Sequence, residues 1–215
     1  MKLVVINYGS GNLRSVAKAF ERASLDSGWD GRIAVSDESA EVRSADYVVL
    51  PGVGAFGDCA RGLRAVAGMY DALSYCAREK QRPFLGICVG MQLMADRGLE
   101  HGVHQGLGWI GGEVRAMAPG RPDLKIPHMG WNTLTRRPGA AHPVLAGMDA
   151  GADCYFLHSY QFIAGNPEDV LATTDYGGSV NAAVGRDNML GVQFHPEKSQ
   201  AQGLRLLANF LAWKP

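Results

Sequence analysis

Apolar positions in the first half of the chain follow two alternating rhythms. Short runs rich in branched and aromatic residues, Leu3 to Ile6, Ile33 to Val35, Tyr47 to Leu50 and Phe84 to Ile87, read as buried strands. Between them, Leu13, Val16, Ala17 and Phe20 recur at helical spacing, and Leu63, Val66, Tyr70 and Leu73 do so more loosely. Strand and amphipathic helix in alternation are the signature of a parallel sheet covered by helices. From Glu113 to Thr135 the rhythm changes: Pro119, Pro122 and Pro127 break any helix, and the apolar stretches between them predict an antiparallel extension. Further strands are expected at Tyr155 to Leu157, Val180 to Val184 and Met189 to Phe194. A last helix is predicted from the capping-box pattern Ser199-x-x-Gln202 and the stripe Leu204, Leu207, Ala208 and Leu211. The expected fold is α/β, with a central mostly parallel sheet, helices on both faces and an antiparallel extension. A length of 215 residues suits one domain spanning 1–215.

Composition mainly excludes. Lysine plus arginine equals aspartate plus glutamate at 21 each, so there is no basic field for nucleic acid and no acidic tail. The apolar start, Met1 to Asn7, is too short for the hydrophobic region of a signal peptide, and no run approaches membrane-spanning length. A cytoplasmic protein is expected. Cys59, Cys76, Cys88 and Cys154 form no C-x-x-C pair, which argues against a zinc or redox site. A disulfide framework is not expected in this length and compartment. Three of the four look structural: Cys76 continues an apolar stripe, Cys154 opens a strand, and Cys59 sits in the first turn of a helix. A lone cysteine is usually a small buried hydrophobe, so Cys88 draws interest only through its context.

That context is Gly86-Ile87-Cys88-Val89-Gly90-Met91-Gln92, where a buried strand ends and a helical pattern begins. Glycines two positions either side of the cysteine permit a tight strand-to-helix elbow in which side chains would collide. A helix N-terminus favours a thiolate, and the Val89 amide is aimed where an oxyanion would develop. About a hundred residues downstream, Gln193-Phe194-His195-Pro196-Glu197 supplies a histidine at a strand end and a carboxylate two positions on. In an extended segment residues two apart share a face, so Glu197 is expected to orient one nitrogen of His195 while the other faces Cys88. Pro196 fixes φ between them.

At these motifs the sequence resembles the class I, triad-type glutamine amidotransferases over nearly its whole length. The resemblance implies that Cys88 attacks the side-chain amide of glutamine, that His195 shuttles the proton and that Glu197 orients it. It further implies an oxyanion hole from the backbone at Val53, Gly54 and Val89, the first two lying in Pro51-Gly52-Val53-Gly54, which could otherwise be a simple turn. Gly52, Gln92, His158, Ser159 and Tyr160 are implied to bind substrate. Val89 stands where leucine is more usual, but its amide carries the role. Pro127-His128-Met129-Gly130-Trp131-Asn132 and Asn7-Tyr8-Gly9-Ser10-Gly11-Asn12 resemble the branch whose glutaminase feeds ammonia to a separate (β/α)8-barrel synthase subunit in histidine biosynthesis.

The length agrees, since a fused acceptor would need many more residues. No cofactor or metal is expected. Gly9 and Gly11 could suggest a dinucleotide loop, but Arg14 occupies the place of the third glycine. Asn12, Arg14, Trp131 and Lys198 are expected partner contacts, because an exposed aromatic and cations beside a cleft make interface anchors. The Val53–Gly54 peptide is a candidate switch that such a partner could bias. Glutaminase subunits of pyridoxal phosphate, anthranilate or aminodeoxychorismate synthesis remain alternatives, as do a related cysteine peptidase and a non-catalytic regulatory subunit.

Overall fold

The structure is a computed structural model and describes residues 1–148 and 151–215. Strands β1 (Lys2–Ile6), β2 (Arg32–Ser36), β3 (Tyr47–Gly52) and β4 (Phe84–Cys88) pair in parallel, as their near-continuous apolar runs require. Then follow β5 (Arg97–Gly98), β6 (His104–Gln105), β7 (Gly112–Ala116), β8 (His128–Thr133) and β9 (Thr135–Arg136). The chain continues through β10 (Asp153–His158), β11 (Tyr160–Ala164), β12 (Val170–Asp175), β13 (Ser179–Arg186) and β14 (Met189–Val192). In the main sheet the order is β2-β1-β3-β4-β14-β13-β12-β9. It is parallel through β14 and antiparallel beyond. Two smaller sheets, β11-β7-β5-β6 and the ribbon β10-β8, carry the antiparallel pairing expected after Glu113. Ser159 alone joins β10 to β11, so the two small sheets meet at His158 and Tyr160.

The helices are α1 (Leu13–Ser27), α2 (Ser39–Arg43), α3 (Phe56–Ala65), α4 (Met69–Ser74), α5 (Val89–Gln92) and α6 (Gln200–Ala212). Helices α1 and α6 pack together, with the Phe210 ring edge-on to Phe20 at 6.0 Å and to Tyr47 at 5.8 Å. No described helix is long and apolar enough to cross a membrane.

Four local expectations need correction. The stripe Leu63 to Leu73 is not one helix: Val66 is extended and Gly68 takes φ 69°, which turns α4 onto α2, and a π-helical turn follows at Tyr75–Glu79. The apolar pattern omits β11 and β12 altogether. Ser199 makes no side-chain cap on α6; its hydroxyl donates to the His195 carbonyl at 2.7 Å and accepts the Tyr155 amide at 3.0 Å. The buried face of α6 is rotated to Gly203, Leu206, Leu207, Phe210 and Leu211, because Gly203 lies against the Pro196 carbonyl, where a side chain would overlap it.

The elbow itself is sterically dictated. A Cβ on Gly86 would lie 2.6 Å from the Gly90 oxygen, and one on Gly90 would overlap the Leu50 carbonyl. Gly90→Ala therefore has no room to relax without moving β3. Its unfolding free energy should fall by about 3 kcal/mol or more, at or beyond the usual cost of overpacking, in urea unfolding followed by circular dichroism. A loss under about 1 kcal/mol would mean that β3 and α5 are not in this contact.

Candidate active site

The elbow holds Cys88 at φ 53° and ψ −112°, a backbone state that L-residues rarely adopt. Gly52 pairs with Cys88 across the sheet, and a Cβ there would sit 2.7 Å from the Tyr8 hydroxyl. Tyr8 in turn donates to the Pro51 carbonyl at 2.8 Å. Gly52 thus lies beneath the elbow and outside the cavity lining, whereas Val53 and Gly54 border the cavity. That cavity, about 330 Å³, is also lined by Cys88, Val89, Gln92, His158, Ser159, Tyr160 and His195. Its size is at the small end for ligand pockets, as a single amino acid would need.

His195 is buried, and its Nδ1 lies 2.8 Å from Glu197 Oε1. The segment is not extended as expected: Pro196–Lys198 forms a 3-10 turn, and the turn rather than strand alternation brings Glu197 back beneath the ring. Burial opposes protonation of His195, but hydrogen bonds and charge from Cys88 and Glu197 outweigh it and raise its pKa to about 9. With Nδ1 on the carboxylate, Nε2 is the nitrogen left for the sulfur. Glu197 Oε2 is buried with no hydrogen-bond partner, so the imidazolium is the counter-charge beside it.

Four groups around the site are given no role by the sequence reading, although three of them lie within the motifs it quotes. Glu100 lines the cavity and accepts the Phe56 amide at 2.7 Å; nothing in Gly98-Leu99-Glu100 marks it. Gln193 is fully buried, with Nε2 3.6 Å from the Cys88 sulfur. Its place two residues before His195 is the one clue to it. His128, from Pro127 to Asn132, is hydrogen-bonded to His158 at 3.0 Å, and burial lowers both pKa values to about 4. Ser10 grips the segment after β3: its hydroxyl donates to the Val53 carbonyl at 2.6 Å and accepts the Val53 amide at 3.1 Å. The Cys59 thiol donates to the same carbonyl at 3.3 Å.

Of the expected partner contacts, Trp131 and Lys198 converge on Tyr155, at 5.8 Å ring to ring and 5.4 Å ammonium to ring. Asn12 and Arg14 lie at the start of α1, just after the Ser10 loop. All four cysteines are free.

A thiol at a strand-to-helix elbow, a histidine beside it and a carboxylate behind the histidine can carry out nucleophilic acyl transfer. Comparison with known proteins narrows the class. The glutamine amidotransferase class-I family matches residues 4–213, and the chain belongs to that family. An imidazole glycerol phosphate synthase subunit HisH of Brucella suis biovar 1 (strain 1330) is 58% identical, with 100% of each chain covered. One of the same name from Rhodospirillum rubrum is 56% identical over 100% of each. A crystal structure of a glutamine amidotransferase superposes with TM-score 0.70 at 18% identity, covering 97% of both chains. A glutamine amidotransferase from Thermotoga maritima gives 0.62 at 17%, covering 92% of this chain and 76% of that one. These two likenesses establish the fold.

The thiols differ in environment. Burial raises the pKa of Cys59 and Cys76 and pushes Cys154 up to about 12. Iodoacetamide at pH 8 should therefore label Cys88 at least tenfold faster than the other three, read from peptide masses over time. Equal labelling of two or more thiols would contradict this arrangement.

Proposed function

We propose that this chain hydrolyses glutamine to glutamate and ammonia and passes the ammonia to a separate synthase subunit in histidine biosynthesis. The observation that carries the reading is Cys88 and His195 at one wall of a cavity sized for an amino acid, with Glu197 behind His195. The name borne by relatives above half identity supplies the pathway.

In this reading the Cys88 thiolate attacks the side-chain carbonyl carbon of glutamine. The oxyanion so formed accepts from the amides of Val89 and Gly54. Val89 opens α5 and has no helical carbonyl to bond. The Gly54 N–H lies on the opposite edge of a trans peptide whose carbonyl is held by Ser10 and Cys59. His195 gives its Nε2 proton to the departing nitrogen, ammonia leaves, and a γ-glutamyl thioester remains on Cys88. Water then attacks the thioester, His195 takes its proton, and glutamate is released.

Glu100 supplies negative charge for the substrate's α-ammonium. Gln92 assists with its oxygen, because its Nε2 already donates to the Tyr160 carbonyl at 3.0 Å and to Gln193 Oε1 at 2.9 Å. Ser159 and Tyr160, at the joint between β10 and β11, form the opposing wall.

The partner, a (β/α)8 barrel in this reading, docks on the outward face of the β8–β10 ribbon. There Met129 is 65% and Trp131 49% exposed, and they pair across the strands with Leu157 and Tyr155. Leu157 also lines the cavity, so a partner seated on this face covers the cavity mouth.

Four outcomes test the reading. Cys88→Ala should abolish glutamate release, and the parent's kcat/KM should fall as pH rises through about 9, where His195 loses the proton it must donate. In Glu197→Gln the carboxylate that raises the His195 pKa is gone, so this alkaline limb should move at least about one unit lower. An unmoved limb, or Cys88→Ala activity within tenfold of the parent, would reject the assignment. Trp131→Ala should weaken association with the synthase subunit by about thirtyfold, the effect of losing one interface anchor, while leaving Cys88 alkylation unchanged. Calorimetric affinities equal to the parent's would remove the ribbon from the interface.

A further inference from the structure

The amide of Gln193 faces the reacting sulfur, and its direction is not free. Tyr160 presents a carbonyl oxygen, which only accepts. It receives His158 Nδ1 at 2.9 Å and Gln92 Nε2 at 3.0 Å, which fills both lone pairs. Gln92 must therefore turn its nitrogen inward, and its second N–H meets Gln193 Oε1 at 2.9 Å. With that oxygen engaged, Gln193 has only its nitrogen to offer the sulfur, at 3.6 Å.

The other arm of the network is pinned the same way. The Asp175 carbonyl takes Asn132 Nδ2 at 2.9 Å, the same nitrogen lies 3.2 Å from His128 Nε2, and His128 Nδ1 lies 3.0 Å from His158 Nε2. Each imidazole thus donates through Nδ1 and accepts through Nε2. Two backbone carbonyls fix the sense of every bond between them, so neither glutamine can flip without leaving a buried group unpaired. The Gln193 backbone is held as well, its amide donating to the Ala182 carbonyl at 2.9 Å.

We infer that Gln193 is a positioning residue for the nucleophile, donating from Nε2 to the Cys88 sulfur in a direction set by the Tyr160 carbonyl through Gln92. The inference rests on the proposed role of Cys88. The sulfur also faces the Leu157 carbonyl at 3.8 Å, a contact that suits a thiol donor and disfavours a thiolate. The Gln193 N–H offsets that carbonyl: it favours the charged sulfur and holds it at the cavity floor, leaving His195 free to act on the leaving group. Gln193 and His195 lie just past the end of β14, two residues apart, and both side chains reach the Cys88 sulfur.

The test is the pH profile of Cys88 alkylation by iodoacetamide in the full chain, followed by peptide mass, with glutaminase kinetics alongside. Gln193→Glu keeps the shape and the acceptor for Gln92 but replaces the donor. Gln193→Met keeps the length and removes both functions without adding charge. In each the alkylation midpoint should rise by about one pH unit, more for Glu than for Met, and kcat should fall about tenfold with KM within threefold. A midpoint equal to the parent's in either folded variant overturns the role. Residual glutaminase activity in Cys88→Ala would instead reject the underlying reading, so the two failures are separable.

Discussion

Much of the site follows from one steric fact: the chain at Gly90 lies directly against the Leu50 carbonyl, with no volume for a side chain between them. Because β3 and the start of α5 approach so closely, β4 cannot end by drifting away. It must reverse within a residue, and Cys88 absorbs the reversal at φ 53°. A residue held there costs about 1–3 kcal/mol. The cost is tolerated because the strands on either side, β3 and β14, are buried along their whole lengths. Their packing gives the elbow no way to relax. The same approach sets Val89, at the start of α5, on the cavity lining, and Val53 and Gly54 follow the end of β3 onto it, so this side of the cavity is built largely from backbone.

The opposite side is built by a turn. Pro196–Lys198 folds Glu197 beneath His195, and the turn is fastened to β10 because Ser199 bonds both the His195 carbonyl and the Tyr155 amide. The His195 amide donates to the Tyr155 carbonyl at 2.9 Å, closing the connection. Histidine and ribbon are therefore tied directly to each other. Tyr155 lies under Lys198 and beside Trp131, so the outward face of the ribbon is linked to His195 through three hydrogen bonds and one ring contact. The buried, unpartnered Glu197 oxygen adds an electrostatic constraint, since neutral His195 would leave a carboxylate without counter-charge.

What the sequence made legible is what burial makes uniform. The parallel strands β1, β3 and β4 are apolar without interruption, and the elbow is bracketed by glycines whose crowding admits no substitute. The capping box at Ser199 misled because the same hydroxyl is engaged outside the helix, by the His195 carbonyl in the preceding turn and by the Tyr155 amide 44 residues away. Strand β12, Val-Leu-Ala-Thr-Thr-Asp, has no alternation to betray it. The break at Gly68 depends on contact between α4 and α2, which no window of the chain contains. Glu100 was invisible for a related reason: it reaches the cavity by bonding the Phe56 amide, 44 residues away. Glu197 was found on a mistaken premise, strand alternation; the 3-10 turn at Pro196–Lys198 is what brings it to His195.

The Val53–Gly54 peptide, proposed to donate to the oxyanion, is held by groups outside the site. Gly54 takes φ 92° with nothing within 4 Å of its missing Cβ, so glycine supplies both the torsional freedom and the space for the Val53–Gly54 peptide to turn. Sterics therefore do not choose its orientation; hydrogen bonds do. Ser10 and Cys59 both bond the Val53 carbonyl, and neither residue lines the cavity. Each such bond contributes about 0.5–1.5 kcal/mol net, so together they bias the peptide by roughly ten- to a hundredfold. Ser10 sits in the loop between Gly9 and Gly11, which leads straight into Asn12 and Arg14. A contact that displaces those two residues pulls on the serine first. The orientation of the amide at Gly54 is thus set by a loop whose own position is open to a partner, while Cys88, His195 and Glu197 stay fixed by the sheet and the turn.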